Sequence, residues 1–331
     1  GVEHVEIGEA AVLNGAVAEN PNHPIDGSDG DGVTIEAAPA DKKFTVWGED
    51  MLRAALGVDG AVIDLAANIE LKDSVQDGSA YAALVIKDKD ITINGNGYTL
   101  TADADRIFRI YGGDISRTVT INGLKATADQ RVLETRSGNL TLDLEGVTFE
   151  TTGAGNTQVL TAGGTSAGQS DAVININGST LKASTNGYAV ITFNPVDLDI
   201  TGSDLSGYAA VYMKPADSSL GSAGSEVTVT NSTLSNNGQQ KGETDTFGVI
   251  VLQDSNIKVS VSASKIDVKG YYELPRQSAV LYNSSTGDIS GNDVTLTDCT
   301  IASDGDYTLL TNGANDNKLT VDGGKSDFLV D

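Results

Sequence analysis

The sequence predicts an all-β fold, a coil in which the chain winds through two or three short parallel strands per turn and stacks each turn on the one before. Three observations predict it. Five-residue units of alternating β-branched and polar residues closed by glycine recur along the chain, among them IleThrIleAsnGly ending at Gly95, ValThrIleAsnGly at Gly123 and IleAsnIleAsnGly at Gly178. A second series of apolar runs, centred at Phe108, Leu133, Leu160, Ile191, Val211, Ile250, Leu281 and Leu310, keeps the same irregular period. The composition agrees, because 38 glycines and 5% aromatics suit a bend-rich strand repeat better than a helix bundle, while 39% hydrophobic residues suffice for a core.

Residues 1–42 lack the repeat. They carry nine acids against the single Lys42, together with Pro21, Pro24 and Pro39, and read as an acidic extension or linker ahead of a coil domain spanning 43–331. Within them AspGlySerAspGlyAspGly sets Asp26, Asp29 and Asp31 like half of a Ca²⁺ loop without its closing glutamate. That pattern supports weak Ca²⁺ binding at most, and no other cofactor is expected. Residues 47–57, TrpGlyGluAspMetLeuArgAlaAlaLeuGly, predict a short amphipathic helix with acids in its first turn and Gly57 as its stop. Residues 61–71 then lead into the first full turn.

From there the second apolar residue of each unit forms a column: Ile93, Ile121, Leu144, Ile176, Ile200, Val229, Val261, Leu296 and Val321. The steps run from 23 to 35 residues with a mean of 28.5, so the loops vary while the strands do not, and about ten turns fit the chain. Alternation with polar neighbours points this column inward. Two residues later, six of nine positions are glycine and two more are Asn231 and Asp298, residue types that tolerate the positive φ of a bend. One residue further on, Ser179, Ser203, Ser232, Ser264 and Cys299 predict a stack of small side chains at the corner, with Cys299 as a buried stand-in for serine. A single cysteine forbids an internal disulfide.

The second series poses a problem. The residue before each centre is also apolar (Ile107, Val132, Val159, Val190, Ala210, Val249, Val280 and Leu309), and adjacent columns on a regular strand face opposite ways. The sequence therefore predicts that one column is covered from outside, by a loop, by residues 1–42 or by another molecule.

This repeat behind a short helical cap resembles the right-handed parallel β-helix proteins, the pectin-lyase-like superfold, from about Lys43 to the C-terminus. The resemblance implies a right-handed single-stranded parallel β-helix, with the helix of residues 47–57 as the cap over its open N-terminal end, where strand edges and core side chains would otherwise meet water. It also implies what an enzyme of this fold would need: carboxylates holding Ca²⁺ beside a basic residue for a lyase, or paired aspartates with a nearby histidine for a hydrolase. The only histidines here are His4 and His23, and the GlyHisGly, AsnThrAsp and AspAsp elements are absent. The reading is thus a bacterial surface-protein type without the catalytic motifs. It would be a non-enzymatic, adhesin-like protein, secreted or on the cell surface, that binds a polysaccharide or a host or cell-surface protein along its β-helix face. The alternative is a Ca²⁺-dependent polysaccharide lyase or glycoside hydrolase.

Charge narrows the partners. Lys plus Arg total 21 against 46 Asp plus Glu, a net charge of −25, which argues against nucleic acid, and no apolar run reaches the roughly 20 residues that would insert in a membrane. Against that background Arg106, Arg109, Arg131 and Arg136 gather on two successive turns with Glu134, and Asp103 and Asp105 precede them. The repeat stacks Arg106 on Arg131 and Arg109 on Glu134. These side chains either bind a carboxylated or sulfated glycan or act as solvated ladder charges offsetting neighbouring acids. A second candidate is aromatic: Tyr188, Tyr208, Phe247 and Tyr307 each precede a centre by three positions, and Tyr212 and Tyr282 follow one by one position. Strand parity turns them outward, either as an exposed strip for sugar rings or a partner, or as rungs stacked on each other.

Overall fold

The computed structural model describes residues 6–7, 34–35, 40–102, 105–136, 138–163, 172–215, 224–237, 247–269, 277–284, 288–303, 307–312 and 316–326. Among these, the strands build three long sheets of 11, 10 and 9 members, and every pairing within the three is parallel. Successive turns place one strand in each sheet, which makes the chain a right-handed parallel β-helix.

The eleven-strand sheet carries the predicted column without a slip. Ile93, Ile121, Leu144, Ile176, Ile200, Val229, Val261, Leu296 and Val321 are consecutive partners, and Phe44 and Ile63 extend the line toward the N-terminus. From Phe44 to Leu296 these side chains are buried in one core. Each buried aliphatic contributes about 1.5–3 kcal/mol, so the column is a principal source of cohesion.

The corner after this sheet follows the sequence pattern with one surprise. Gly202 (φ 57°), Asn231 (φ 50°) and Asp298 (φ 52°) adopt the left-handed bend, and so does Ala263 (φ 48°), a residue with no side-chain means of easing it. The next position forms a hydrogen-bonded ladder. Ser203 Oγ accepts the Ser179 amide at 3.0 Å, Ser232 Oγ that of Ser203 at 3.1 Å, and Ser264 Oγ that of Ser232 at 3.0 Å.

The predicted helix spans Glu49–Leu56, with Met51, Leu52, Ala55 and Leu56 turned into the core. Gly57 ends it in right-handed geometry (φ −71°), so its role differs from the expected positive-φ stop; a Cβ there would lie 3.1 Å from the Ala54 carbonyl. Of the expected acidic extension, the pair Glu6–Ile7 and Thr34–Ile35 forms a parallel two-strand ribbon, and the latter lies against the helix.

The nine-strand sheet resolves the problem of adjacent apolar columns in an unexpected way. Both point into the same core: Ile107 with Phe108, Val132 with Leu133, Val159 with Leu160, Val249 with Ile250. Pairing runs Arg106 to Arg131 and Phe108 to Leu133 but skips Ile107 and Val132, so the strand bends between them and alternation breaks. Cover by residues 1–42 is not needed to explain these columns. Three of the expected centres are also shifted by one, since Val190, Val280 and Leu309 take the inward place while Ile191, Leu281 and Leu310 face out.

Candidate functional site

The outward column of the nine-strand sheet changes chemistry along the coil. It reads Val85, Arg109, Glu134, Thr161, Ile191, Tyr212, Val251, Leu281 and Leu310, charged near the helical cap and apolar beyond. The charged stretch gathers the predicted basic residues as expected, with Arg106 paired to Arg131 and Arg109 to Glu134. Glu134, only 3% exposed, is the hub: its carboxylate lies 2.5 Å from Arg106 Nε, 3.5 Å from Arg109 Nε and 3.0 Å from Arg136 Nε.

Asp77 is a second anion, and the sequence reading missed it. It sits on an antiparallel hairpin, Val75–Asp77 with Ala80–Ala82, that leaves the coil and folds over the cluster. Lys87 Nζ donates to Asp77 Oδ1 at 2.6 Å, Arg109 Nη1 lies 3.3 Å from Oδ2, and the Tyr111 hydroxyl donates to Oδ2. Burial works to raise the Asp77 pKa, but the hydrogen bonds from Lys87 and Tyr111 and the Arg109 charge outweigh it and hold the carboxyl below its ordinary value. Burial and the bond to Asp77 push Tyr111 up to about 12. The signal that marks this hairpin was present: Gly78-Ser79, a glycine-first dipeptide, is the two-residue turn between Asp77 and Ala80, and Gly78 takes φ 65°.

Arg131 stands apart from its neighbours. Its Nε donates to the neutral Gln158 Oε1 at 3.0 Å, and among the described residues it makes no salt bridge. Burial pulls its pKa down, and the neighbouring Arg106 charge adds to the effect. Among the described residues, Lys87, Arg106, Arg109, Arg131 and Arg136 face Asp77, Asp105 and Glu134, a surplus of two positive charges on a strongly acidic protein. Beside the cluster a cleft of about 470 Å³ opens between the end of the helix and strand Leu84–Lys87, with Arg53, Lys87 and Lys89 over Leu56, Leu84 and Val85. Asp103 and the loop acids Asp26, Asp29 and Asp31 lie outside the described residues, and among those described no three His, Cys, Asp or Glu side chains converge as metal ligands.

A family model of pectate lyase-like adhesive domains matches residues 50–279, more than two thirds of the chain. The chain belongs to this family. The crystal structure of pectate lyase Pel9A superposes on this adhesive domain with a TM-score of 0.50 over 85% of this chain and 80% of the other, at 12% identity, a likeness of fold alone. The A-module of the Azotobacter vinelandii mannuronan C-5 epimerase AlgE6 aligns over 90% of this chain and 86% of its own, with 14% identity and a TM-score of 0.21. No curated protein matches.

The expected aromatic strip on the adhesive domain is corrected. Tyr188, Tyr208, Tyr212, Phe247 and Tyr282 are all buried, none more than 8% exposed. Four of them pack on each other away from the main core, with Tyr208 and Phe247 stacked at 4.4 Å, Tyr188 tilted against Tyr212 at 5.0 Å, and Tyr212 edge-on to Phe247 at 5.3 Å. Ile191, Val251, Leu281 and Leu310 join them in a second hydrophobic cluster. Tyr282 belongs to the main core and donates its hydroxyl to the Lys318 carbonyl at 2.5 Å. The Tyr307 side chain lies outside the described residues, although its backbone pairs with Ser278. Outward parity was right for Tyr212, but on this sheet outward does not mean exposed, and these five rings are not presented to solvent. No helix of the described residues is long and apolar enough to cross a membrane.

Proposed function

We propose that this adhesive domain is the binding part of a secreted or cell-surface protein, and that its arginine cluster takes an anionic glycan, carboxylated or sulfated, without turnover. One observation carries the reading. Arg131 is a half-buried cation with a neutral partner in a cluster that already has two positive charges to spare. A guanidinium desolvated in this way gains most from an incoming carboxylate or sulfate, which it binds through paired hydrogen bonds. The family match supports adhesion. The absence from the sequence of the histidine-bearing elements of the hydrolases supports binding over hydrolysis.

Titration of the full chain with polygalacturonate and with chondroitin sulfate tests this. Saturable binding that weakens with salt is expected, and Arg131→Gln is expected to lower affinity about ten-fold, the loss of one charge-assisted contact. Unchanged affinity in that variant would overturn the site. Absorbance from unsaturated products, with or without Ca²⁺, would replace adhesion with lyase activity.

A further inference from the structure

We propose that Asp77 is a built-in competitor for this site, a carboxylate of the protein's own that an anionic glycan must displace, and so the residue that sets the site's affinity and charge selectivity. The inference rests on the proposed function above. Its carboxylate already occupies the place an acidic ligand would want. It accepts from Lys87 and Tyr111, faces Arg109 at 3.3 Å, and its own backbone carbonyl takes a further bond from Arg109 Nη1 at 2.5 Å.

The hairpin that carries it is poorly anchored by other means. Its strands are three residues each, too short to be stable alone. The side chains it turns inward are the methyl groups of Ala80 and Ala82, which bury little apolar area. Its large apolar residues face solvent instead, Val75 at 44% and Tyr81 at 47% exposure. With so little hydrophobic attachment, the Asp77 contacts are what hold the hairpin down. An acidic ligand that satisfies Lys87 and Arg109 removes the reason for the hairpin to stay, whereas a neutral glycan offers no exchange. Release of Asp77 also adds those two cations to the Arg131 end of the cluster.

The experiment compares wild type, Asp77→Asn and Tyr81→Ser for polygalacturonate binding on the full chain, with hydrogen exchange of the hairpin amides read on the same samples. Asp77→Asn is expected to bind about ten-fold tighter, with Tyr81→Ser unchanged. In wild type, saturating polygalacturonate is expected to speed exchange at residues 75–82. Equal or weaker binding by Asp77→Asn, an equal gain in Tyr81→Ser, or slower hairpin exchange with ligand would each overturn the proposal. Should Asp77→Asn fail to fold, the wild-type exchange result decides alone. Absence of binding by all three proteins would instead remove the functional reading beneath it, and wild-type binding that needs Arg131 but ignores Asp77 would remove this inference only.

Discussion

Arg106 Nε lies 2.5 Å from Glu134 Oε2, and the same carboxylate also serves Arg109 and Arg136. Three guanidinium groups thus share one buried anion, with Arg109 also 3.3 Å from Asp77 and Arg106 3.8 Å from Asp105. Glu134→Gln keeps the shape but removes the anion they share, and removing one partner of a buried pair costs about 3–5 kcal/mol. The expected result is a lower urea midpoint with an unchanged slope. A midpoint equal to wild type would mean that the arginines are held by water and not by Glu134.

The main ladder could be read from the sequence, whereas of this hub only the pairings of Arg106 with Arg131 and Arg109 with Glu134 could. Where alternation is strict and a bend residue closes each unit, as from Ile93 to Val321, the register has one solution. The nine-strand sheet has no such key. Val190 and Ile191, Val280 and Leu281, or Leu309 and Leu310 are equivalent to a periodicity argument, and only the bend between the two inward columns decides which member faces the core. The aromatics were misjudged because a parity rule reports direction, not cover. Asp77 escaped because its hairpin lies outside the repeat, so no column of the coil contains it.

Ala263 offers a clean stability test. It holds φ 48° at a corner where its equivalents are glycine, asparagine and aspartate. A left-handed conformation costs an alanine-like residue about 1–2 kcal/mol, partly offset by the greater entropy glycine loses on folding. Ala263→Gly is expected to stabilise the protein by about 0.5–1 kcal/mol. Gly202→Ala, at the same corner with φ 57° and only the Gly178 amide at 4.0 Å, is expected to destabilise it by a similar amount. Thermal unfolding of both variants checks the pair, and a destabilised Ala263→Gly would refute strain at that corner.

The second hydrophobic cluster predicts that the aromatics matter for folding and not for adhesion. Tyr208 is 1% exposed and stacked on Phe247. Truncation to alanine is expected to cost about 3–5 kcal/mol, as for other buried aromatics. Tyr212→Phe, which deletes only the hydroxyl bonded to Gln253, is expected to leave polygalacturonate affinity unchanged. A loss of binding in that variant, with its melting temperature preserved, would restore the aromatic residues to the binding surface.

The hairpin should respond to pH from both sides. Asp77 has its pKa lowered in the fold, so its contribution is present above the unfolded value near 3.8 and is lost as pH falls through the folded one. Tyr111 is raised to about 12, so its contribution is present below the unfolded value of 10.0 and fades as pH rises toward about 12. Amide shifts of Ala80 and Ala82, followed by NMR, are expected to move below about pH 4 and above about pH 10, with the acid transition missing in Asp77→Asn. An acid transition that survives this substitution would assign it to another carboxylate.

Cys299 continues the serine ladder with a poorer atom. Ser264 Oγ donates to the Ser262 carbonyl at 2.7 Å, whereas Cys299 Sγ reaches the equivalent Thr297 carbonyl only at 3.4 Å. Sulfur is a weak donor and acceptor, and the thiol is buried, which pushes its pKa up and keeps it in the unreactive protonated form. Two results are expected. The native protein resists iodoacetamide near neutral pH and reacts once unfolded. Cys299→Ser, which sets the ladder's own atom in the ladder's own place, is expected to be neutral or to stabilise by up to about 1 kcal/mol. A loss of more than that would show that the last corner is filled by the volume of the sulfur, and that the hydrogen-bonded ladder ends at Ser264.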